Sequence, residues 1–397
     1  MMTESEALAA ILAAVPEPEH EDCALQDAWG RTAAGDVFAS IPLPGFDNSS
    51  MDGWAIHAAD CGRAGVRLGI AGEQPAGADR ELTVSEGCAV RIFTGAPLPA
   101  GCGAVVMQED ARREGDFVTI ESPAEPGEFI RRRGCDVCTG QLLVRSGEVL
   151  TPARIGILAS QGQARVRCGR LPAVSVLCTG EELTDPGVPL PHPGALYNSN
   201  GPMLAALFQG SRLTAPVFVA TAPDRLDVLT AALRASLERN DVLVIAGGVS
   251  VGDHDLVKPA LQALGIAPQF WKVSIRPGKP FLFCTAGRKL IFGVPGNPVS
   301  AFVTSVLFVL PALRRLNGLT DAAPVLETAR AAAALQNNGD RRHYLRGYFD
   351  AAAGTFRPSG MQESHALGGL CQANALARLE PGARCVEGDP VAVLRLN

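Results

Sequence analysis

The feature that most constrains the fold is an alternation of apolar strands and helices between about residues 171 and 316. Continuous apolar runs such as AVSVLC (173 to 178) and DVLVIAGG (241 to 248) are typical of strands buried on both faces of a parallel sheet. Helices are expected from about 201, after Asp224, around 256 to 264 and from Pro298. We therefore predict a doubly wound, mostly parallel sheet, with its ligand crevice at the carboxyl ends of the strands.

Three loops at that edge carry candidate binding residues. Glycines after a strand let the backbone approach a phosphate closely, and the free amides at a helix start bind anions. Asn297 is predicted to be an N-cap with Pro298 as the first helical residue. The candidates are Glu182 of TGEEL, then Gly247, Gly248, Ser250 and Asp255 of AGGVSVGDHD, then Pro295, Asn297 and Pro298 of GVPGNPVSA. Taken alone, carboxylates at a helix start are as often simple caps.

A fourth stretch, FWKVSIRPGKPF (270 to 281), gathers three cations, Lys272, Arg276 and Lys279, around a Pro-Gly turn. Carboxylates from several loops can hold Mg²⁺, which is commonly shared with substrate phosphates, and cations offset the phosphate charge. A site with charges of both signs predicts a polyanionic substrate and metal-assisted phosphate chemistry.

The flanking regions have a different pattern. Residues from about 41 to 139 combine many Gly and Pro residues with short apolar runs such as CAVRIF, which predicts a small β domain. From about 319 short alternating segments such as HYLRGYF predict a terminal β domain. Thr3 and Glu6 form the pattern of a capping box at the start of an N-terminal helix.

Bulk properties exclude several classes of function. The chain of 397 residues is 47% hydrophobic with a net charge of −6, which indicates a folded, multidomain protein without a basic face for nucleic acid or membrane surfaces. The N-terminus lacks the basic region of a signal peptide, and the apolar region at 301 to 313 is predicted to be too short to span a bilayer. A cytoplasmic protein is expected.

Cysteine usage supports the same compartment. The eleven cysteines are an odd number without a regular spacing, which favours reduced thiols. Cys135 and Cys138 form one CxxC, but no second pair lies at the spacing of a zinc site, so we assign them no metal.

Seven motifs in order carry a family resemblance: PGFDNSSMDGWA, IFTGAPLP, GCDV, TGEEL, GGVSVGDHD, FWKVSIRPGKP and GVPGNPVSAF. Over nearly its whole length the chain resembles the MoeA family of molybdopterin molybdenumtransferases, which includes the E domain of gephyrin. The resemblance implies a homodimer of four-part protomers. The parts are a helical dimerisation domain (1 to 40 with 140 to 168), an inserted β domain (41 to 139), an α/β molybdopterin-binding domain (169 to 316) and a C-terminal β-barrel-like domain (317 to 397).

The resemblance also implies a reaction. The family inserts molybdate into adenylylated molybdopterin and releases AMP with help from Mg²⁺. Transient partners would be a molybdopterin adenylyltransferase and molybdoenzyme maturation factors, with neither nucleic acid nor membrane among them. Two alternatives are adenylyl transfer to molybdopterin, which the central domain alone would suit, and a non-catalytic scaffold like gephyrin.

The family's functional positions fall on named residues of this chain. The implied catalytic residues are Asp52, Thr94, Asp136, Glu182, Asp224 and Asp255, of which Glu182, Asp224 and Asp255 would bind Mg²⁺. Substrate-binding roles extend to Lys272, Arg276, Lys279, Arg346 and Ser364. We expect the FDNSSMDGWA loop to present Asp52 toward a crevice across the dimer interface, with Asp47 serving the turn itself.

Overall fold

The computed structural model describes residues 1–77, 79–249 and 255–396. The chain forms two compact units. The first comprises Met1–Gly35, Ser146–Ile155 and Ala164–Asn397, and the second comprises Asp36–Arg145 and Gly156–Gln163. The four-part division implied by the resemblance is finer than these two units and stays a prediction.

The centre of the first unit is a six-stranded sheet. Four neighbouring strands run parallel, and two further strands continue the sheet in antiparallel pairing. In spatial order the strands are Phe218–Ala222, Val174–Thr179, Val242–Ala246, Lys289–Val294, Leu282–Ala286 and Pro268–Trp271. The predicted mostly parallel sheet is confirmed, and its parallel strands end together at residues 179, 222, 246 and 294.

Helices cover both faces of this sheet, as a doubly wound fold requires. On one face Val174, Val176 and Cys178 pack in a core with Phe208 and Phe308. On the other face, side chains of alternating position along the strands pack in a core that includes residues of two further helices. The helices are Asn200–Gly210, Leu226–Arg239, Val257–Ala263 and Pro298–Leu316. Burial on both faces accounts for the continuous apolar runs in the sequence.

The last of these helices corrects an expectation. Pro298–Leu316 is 19 residues long and includes a π-helical turn at Ser305–Val309, and its length and composition would allow it to cross a membrane. The polar residues in its middle do not end it, because Thr304 donates its hydroxyl to the carbonyl of Ser300. Since 83% of the stretch is buried inside the protein, packing against the sheet explains its apolar character.

A second six-stranded sheet of the first unit closes on itself. Its spatial order is Ile275–Arg276, Arg342–Asp350, Thr355–Pro358, Glu327–Ala331, Pro390–Arg395 and Ala375–Leu379, and the last strand pairs again with Arg342–Asp350. This is the predicted C-terminal β-barrel. The apolar residues of FWKVSI (270 to 275) predict one strand, but this run is divided between the two sheets, because Lys272 adopts a φ of 75° that turns the chain after Trp271.

Shorter elements complete the first unit. The N-terminal helix Glu4–Ala14 has the predicted capping box between Thr3 and Glu6. A helix also spans Leu367–Cys371. Two-stranded pairings join His20–Ala24 to Arg165–Gly169, Leu183–Thr184 to Leu196–Tyr197, and Leu335–Gln336 to Arg384–Cys385.

The second unit is built on a third six-stranded sheet. Its spatial order is Cys102–Met107, Gly53–His57, Cys88–Ile92, Arg67–Gln74, Phe117–Ile120 and Ala111–Glu114. Asn48–Ser49 pairs with Ile130–Arg131, and Val37–Phe38 pairs with Leu142–Val144. Of the helix Pro152–Ser160, residues 156 to 160 belong to this unit and the preceding residues to the first.

Asn317 provides a test of how the helix Pro298–Leu316 is fixed at its end. The side chain is 1% exposed, and its Nδ2 donates to the carbonyls of Leu213 and Leu313 at 2.8 Å each. Asn317→Ala leaves two buried carbonyls without this donor, so we expect a loss of about 2–4 kcal/mol in the free energy of unfolding. Urea unfolding followed by circular dichroism measures it. The exposed Asn338→Ala is the control, and an equal midpoint for both variants would contradict the assignment.

Candidate functional site

A cavity of about 600 Å³ lies where the parallel strands of the first unit end. Every strand of the parallel set contributes to its wall through the loop that follows it, as the position of the crevice in doubly wound folds requires. The structure brings together eight predicted residues around this cavity: Glu182, Asp224, Gly247, Gly248, Asp255, Pro295, Asn297 and Pro298. Ser250, predicted with them, lies outside the described residues.

Three of the residues that line this cavity carry carboxylates. Asp224 Oδ1 accepts a hydrogen bond of 2.5 Å from the hydroxyl of Thr179, the last residue of its strand. The carboxylate of Glu182 folds back over Gly180, at 2.7 Å from the place a Cβ of residue 180 would occupy. Within residues 1–77, 79–249 and 255–396, no three His, Cys, Asp or Glu side chains are grouped as a metal site. The magnesium assignment to Glu182, Asp224 and Asp255 stays a prediction.

Gly247 and Gly248 shape the floor of the cavity. Both have positive φ, 103° and 60°. A Cβ on Gly247 would lie 2.5 Å from the carbonyl oxygen of Thr179, and a Cβ on Gly248 would lie 2.9 Å from a methyl group of Val257. A side chain at either position would therefore force the loop away from the sheet, and only glycine keeps the backbone at the strand ends.

Two asparagines that were not predicted from the sequence also line the cavity. Asn198 donates to the hydroxyl of Thr221 at 3.1 Å and accepts from the amide of Gly201 at 3.0 Å. Asn200 Nδ2 donates to the carbonyl of Gly296 at 2.7 Å, while its buried Oδ1 has no partner among the described residues. An unpaired buried acceptor beside a cavity is a natural contact for a ligand donor. The signal in the sequence was the Asn-Ser-Asn run at a helix start.

Asn297 stands at the predicted N-cap position, but its side chain makes a different contact. Its Nδ2 donates to Ser364 Oγ at 3.0 Å, and no side-chain cap is formed within the helix that Pro298 begins. The amide of Val299 donates to the carbonyl of Ser364 at 3.1 Å. Ser364 is thus bound to the helix start by two hydrogen bonds, which places a residue predicted from the C-terminal region at this site.

A second cavity, of about 410 Å³, adjoins the first and is basic. Both cavities are bordered by Pro280, Pro295, Asn297 and His365. The second is lined by the predicted Arg276, Lys279 and Ser364, and also by Arg341 and Glu363. Three cations against one carboxylate give this cavity a net positive charge, which suits an oxyanion.

Arg346 and Lys272 do not line either cavity. Arg346 is fully buried, and its Nη2 donates to the carbonyl of Met361. Within the described part of the chain its Nε and Nη1 have no partner, and burial lowers the pKa of its guanidinium. The side-chain amide of Gln362 accepts from the backbone amide of Arg346 and donates to its carbonyl. Arg346 therefore supports the segment that lines the basic cavity. Lys272 lies over the ring of Trp271.

His343 is a buried titratable group near the basic cavity. It is 4% exposed and is the strand partner of Arg276. Burial and the nearby charges of Arg276, Arg346 and Arg341 lower the pKa of His343 to about 4. His343 is therefore neutral near pH 7 and adds no charge to the cavity.

Asp52 and Thr94, predicted as catalytic, lie together in the second unit. Asp52 Oδ1 accepts from the backbone amide of Thr94 at 2.7 Å and from its hydroxyl at 2.8 Å. These two hydrogen bonds lower the pKa of Asp52, with a smaller contribution from the charge of Arg91. Glycine is required at position 53, because a Cβ there would lie 1.8 Å from the carbonyl oxygen of Val106. The loop thus holds an exposed, ionised carboxylate.

Contrary to our expectation, the side chain of Asp47 bonds to residues outside its own turn. Its carboxylate accepts from Arg132 Nη1 and from the amide of Arg133, both at 2.7 Å, and these bonds lower its pKa. Asp47 therefore ties the loop to the segment that precedes Asp136. Asp136 is exposed, and its amide donates to the carbonyl of Leu43 at 3.0 Å.

Three family models match the chain in order. A model described as the MoeA N-terminal region (domain I and II) matches residues 2–162. A model described as a probable molybdopterin binding domain matches residues 175–315, and one described as the MoeA C-terminal region (domain IV) matches residues 328–396.

Similar proteins span the same length. Molybdopterin molybdenumtransferase 2 of Mycobacterium tuberculosis (strain CDC 1551 / Oshkosh) is 38% identical over 361 residues, which is 89% of each chain. The molybdopterin molybdenumtransferase of Haemophilus influenzae is 35% identical over 387 residues and covers 96% of this chain and 95% of its own. The crystal structure of a molybdopterin biosynthesis MoeA protein from Pyrococcus horikoshii OT3 has a TM-score of 0.84 at 27% identity and covers both chains completely.

Removing the Thr94 hydroxyl tests the electrostatics of Asp52. Thr94→Val deletes one of the two hydrogen bonds that favour the ionised carboxylate, so we expect the pKa of Asp52 to rise toward its ordinary value. Titration of the carboxyl carbon by NMR measures the shift. The pKa of Asp47, held by Arg132 and Arg133, should stay unchanged in the same spectra. An Asp52 pKa equal to that of the parent protein would refute the role of the hydroxyl.

Proposed function

This chain belongs to the MoeA family, and on that premise we propose that it is a molybdopterin molybdenumtransferase. It takes adenylylated molybdopterin and molybdate, inserts the metal into the dithiolene and releases AMP. The observation that carries the proposal is the pair of adjoining cavities, one lined by carboxylates and glycines and the other by cations, within a chain matched along its length by the family.

The larger cavity suits the nucleotide and pterin parts of the substrate. Gly247 and Gly248 keep backbone close to the cavity, and Pro298, the first residue of its helix, lines it as well. Asn200 Oδ1 supplies an acceptor for a substrate N–H or O–H group. A phosphoanhydride placed here would lie beside the basic cavity.

The basic cavity suits the molybdate oxyanion. Arg276 ends a strand and Lys279 follows the Pro-Gly pair after it, and both are exposed, so their charged groups are available to a ligand. Ser364, whose hydroxyl accepts a hydrogen bond from Asn297, adds a neutral polar group to the lining of this cavity. Binding the dithiolene and the oxyanion in adjoining cavities supplies the proximity that a bimolecular step needs.

The carboxylates of the larger cavity are the proposed ligands of a magnesium ion. Glu182, Asp224 and Asp255 offer only oxygen donors, which Mg²⁺ prefers, and the cavity has room for the waters that it usually retains. When bound, Mg²⁺ would polarise the phosphoanhydride for cleavage. The hydrogen bond from Thr179 orients Asp224, and the place of Glu182 over Gly180 keeps its carboxylate at the cavity edge.

The remaining parts of the proposal come from the family. They are a homodimer, catalytic roles for Asp52, Thr94 and Asp136, cytoplasmic location, and transient contact with a molybdopterin adenylyltransferase and with molybdoenzyme maturation factors. What supports Asp52 is its exposed carboxylate, which is held ionised by Thr94.

The activity is tested by AMP release. Purified protein given adenylylated molybdopterin and Mg²⁺ should release AMP only when molybdate or tungstate is added, and chromatography of the nucleotide measures it. Asp52→Asn should reduce the rate at least about a hundredfold without a change in the circular dichroism spectrum. The adenylyltransferase alternative predicts consumption of ATP with unmodified molybdopterin instead. Bound substrate that stays unchanged under all conditions would favour a scaffold and overturn the proposal.

The metal assignment is tested by the magnesium dependence of the same reaction. Glu182→Gln and Asp224→Asn each remove one charged oxygen donor, so we expect the Mg²⁺ concentration for half-maximal AMP release to rise about tenfold or more. Glu181→Gln is the matched control, because Glu181 is exposed and adjacent but does not line the cavity. A slower rate with an unchanged Mg²⁺ dependence would show that these carboxylates act on the substrate instead.

A further inference from the structure

Lysine is confined to one short stretch of this chain. Of the 35 Lys and Arg residues only four are lysines, Lys258, Lys272, Lys279 and Lys289, and the rest are arginines. An ammonium group is a compact point charge with three rotatable donors, whereas guanidinium is a planar fork. In a chain that uses arginine at nearly every cationic position, the contacts of the four ammonium groups are informative.

Two of the four contact the same aromatic ring. Lys258 Nζ lies 2.8 Å from the ring centre of Trp271, and Lys272 Nζ lies 3.8 Å from it. Because both distances are measured to the same ring centre, the two nitrogens cannot be farther apart than the sum of the two distances. The ring itself is fixed, because Trp271 Nε1 donates to the carbonyl of Val249 at 2.9 Å.

This arrangement brings like charges together. The face of an indole ring attracts one cation, but a second ammonium nearby is repelled by the first. Burial and the charge of Lys272 lower the pKa of Lys258, and Asp255 opposes the shift. Lys272 also has a positive φ, which adds backbone strain at this residue. A bound anion would relieve the repulsion between the two ammonium groups.

Two neighbours of the pair line the larger cavity. Val249, which holds the Trp271 ring, lines that cavity, and so does Asp255, whose charge acts on Lys258. The other two lysines have different surroundings. Lys279 lines the basic cavity, and Lys289 donates to the carbonyl of Asn240 at 2.9 Å, which is a structural contact.

We infer that Lys258 and Lys272, held on Trp271, bind a tetrahedral oxyanion of the substrate, with Lys258 as a further substrate-binding residue. The expected source is the phosphate of the adenylyl group. The identity of this anion rests on the proposed function, whereas the existence of the two-ammonium site does not. Molybdate has the same tetrahedral shape, and the test separates the two sources.

The scarcity of lysine makes the test direct. Limited acetylation of the amines, followed by peptide mass spectrometry, reports on each of the four lysines separately. We expect AMP to slow acetylation of Lys258 and Lys272 together at least about fivefold, with Lys289 unchanged as the internal control. Joint protection by molybdate in place of AMP would support the same site and assign the oxyanion to it. No protection of Lys258 by either anion would overturn the inference.

A variant gives an independent measurement. Lys258→Met keeps the length of the side chain and removes its charge, so the Kd for AMP, measured by calorimetry, should rise about tenfold. Lys289→Met is the matched control and should leave that Kd unchanged. If Lys258→Met does not fold, the acetylation result on the parent protein decides the question alone.

The two proposals can fail separately. Acetylation and calorimetry measure binding without turnover, so protection of Lys258 together with no AMP release would sink the transferase activity and keep the anion site. Normal AMP release with Lys258 unprotected and an unchanged Kd in Lys258→Met would sink only the anion site.

Discussion

The parallel pairing of four buried strands is the constraint on which the rest of the first unit depends. Parallel strands that share a register end at one edge, so the loops after residues 179, 222, 246 and 294 meet there. The cores on both faces hold the strands in place, and the strands in turn position the residues that line the larger cavity. Gly247 shows how close the fit is, because no side chain can be placed between its loop and Thr179.

At the strand ends, acidic and basic side chains line different cavities, an arrangement that suits a polyanionic substrate. Carboxylates line the cavity at the strand ends, while Arg276, Lys279 and Arg341 line the adjoining one. His343, the strand partner of Arg276, is neutral near pH 7 and therefore adds no positive charge next to the basic cavity. Because the carboxylates and the cations line different cavities, the two groups of charges do not neutralise each other.

In the second unit, contacts with other segments fix the loop that carries Asp47 and Asp52. Asp47 and Asp52 are five residues apart in sequence, yet each is bound by a different segment, the first by Arg132 and Arg133 and the second by Thr94. Gly53 is required where the strand begins, since a Cβ at this position would overlap the backbone of Val106. The result is a rigid loop with one carboxylate committed to structure and one exposed.

The sequence by itself determined the strand and helix order of the central domain, the β character of the C-terminal region and the loops of the cleft, because periodicity and turn residues are local properties of the chain. The barrel form of the C-terminal region was implied by the family resemblance. Local patterns also pointed to Asp255 and the glycines, whereas the family resemblance implied Glu182 and Asp224. Tertiary structure alone decided that FWKVSI is divided between two sheets, that Asn297 bonds to Ser364 instead of capping its helix, and that Asn200 lines the cavity. It also joined Lys258 to Lys272 on Trp271. These contacts link residues distant in sequence, and no local pattern specifies which side chains the folded backbone will bring together.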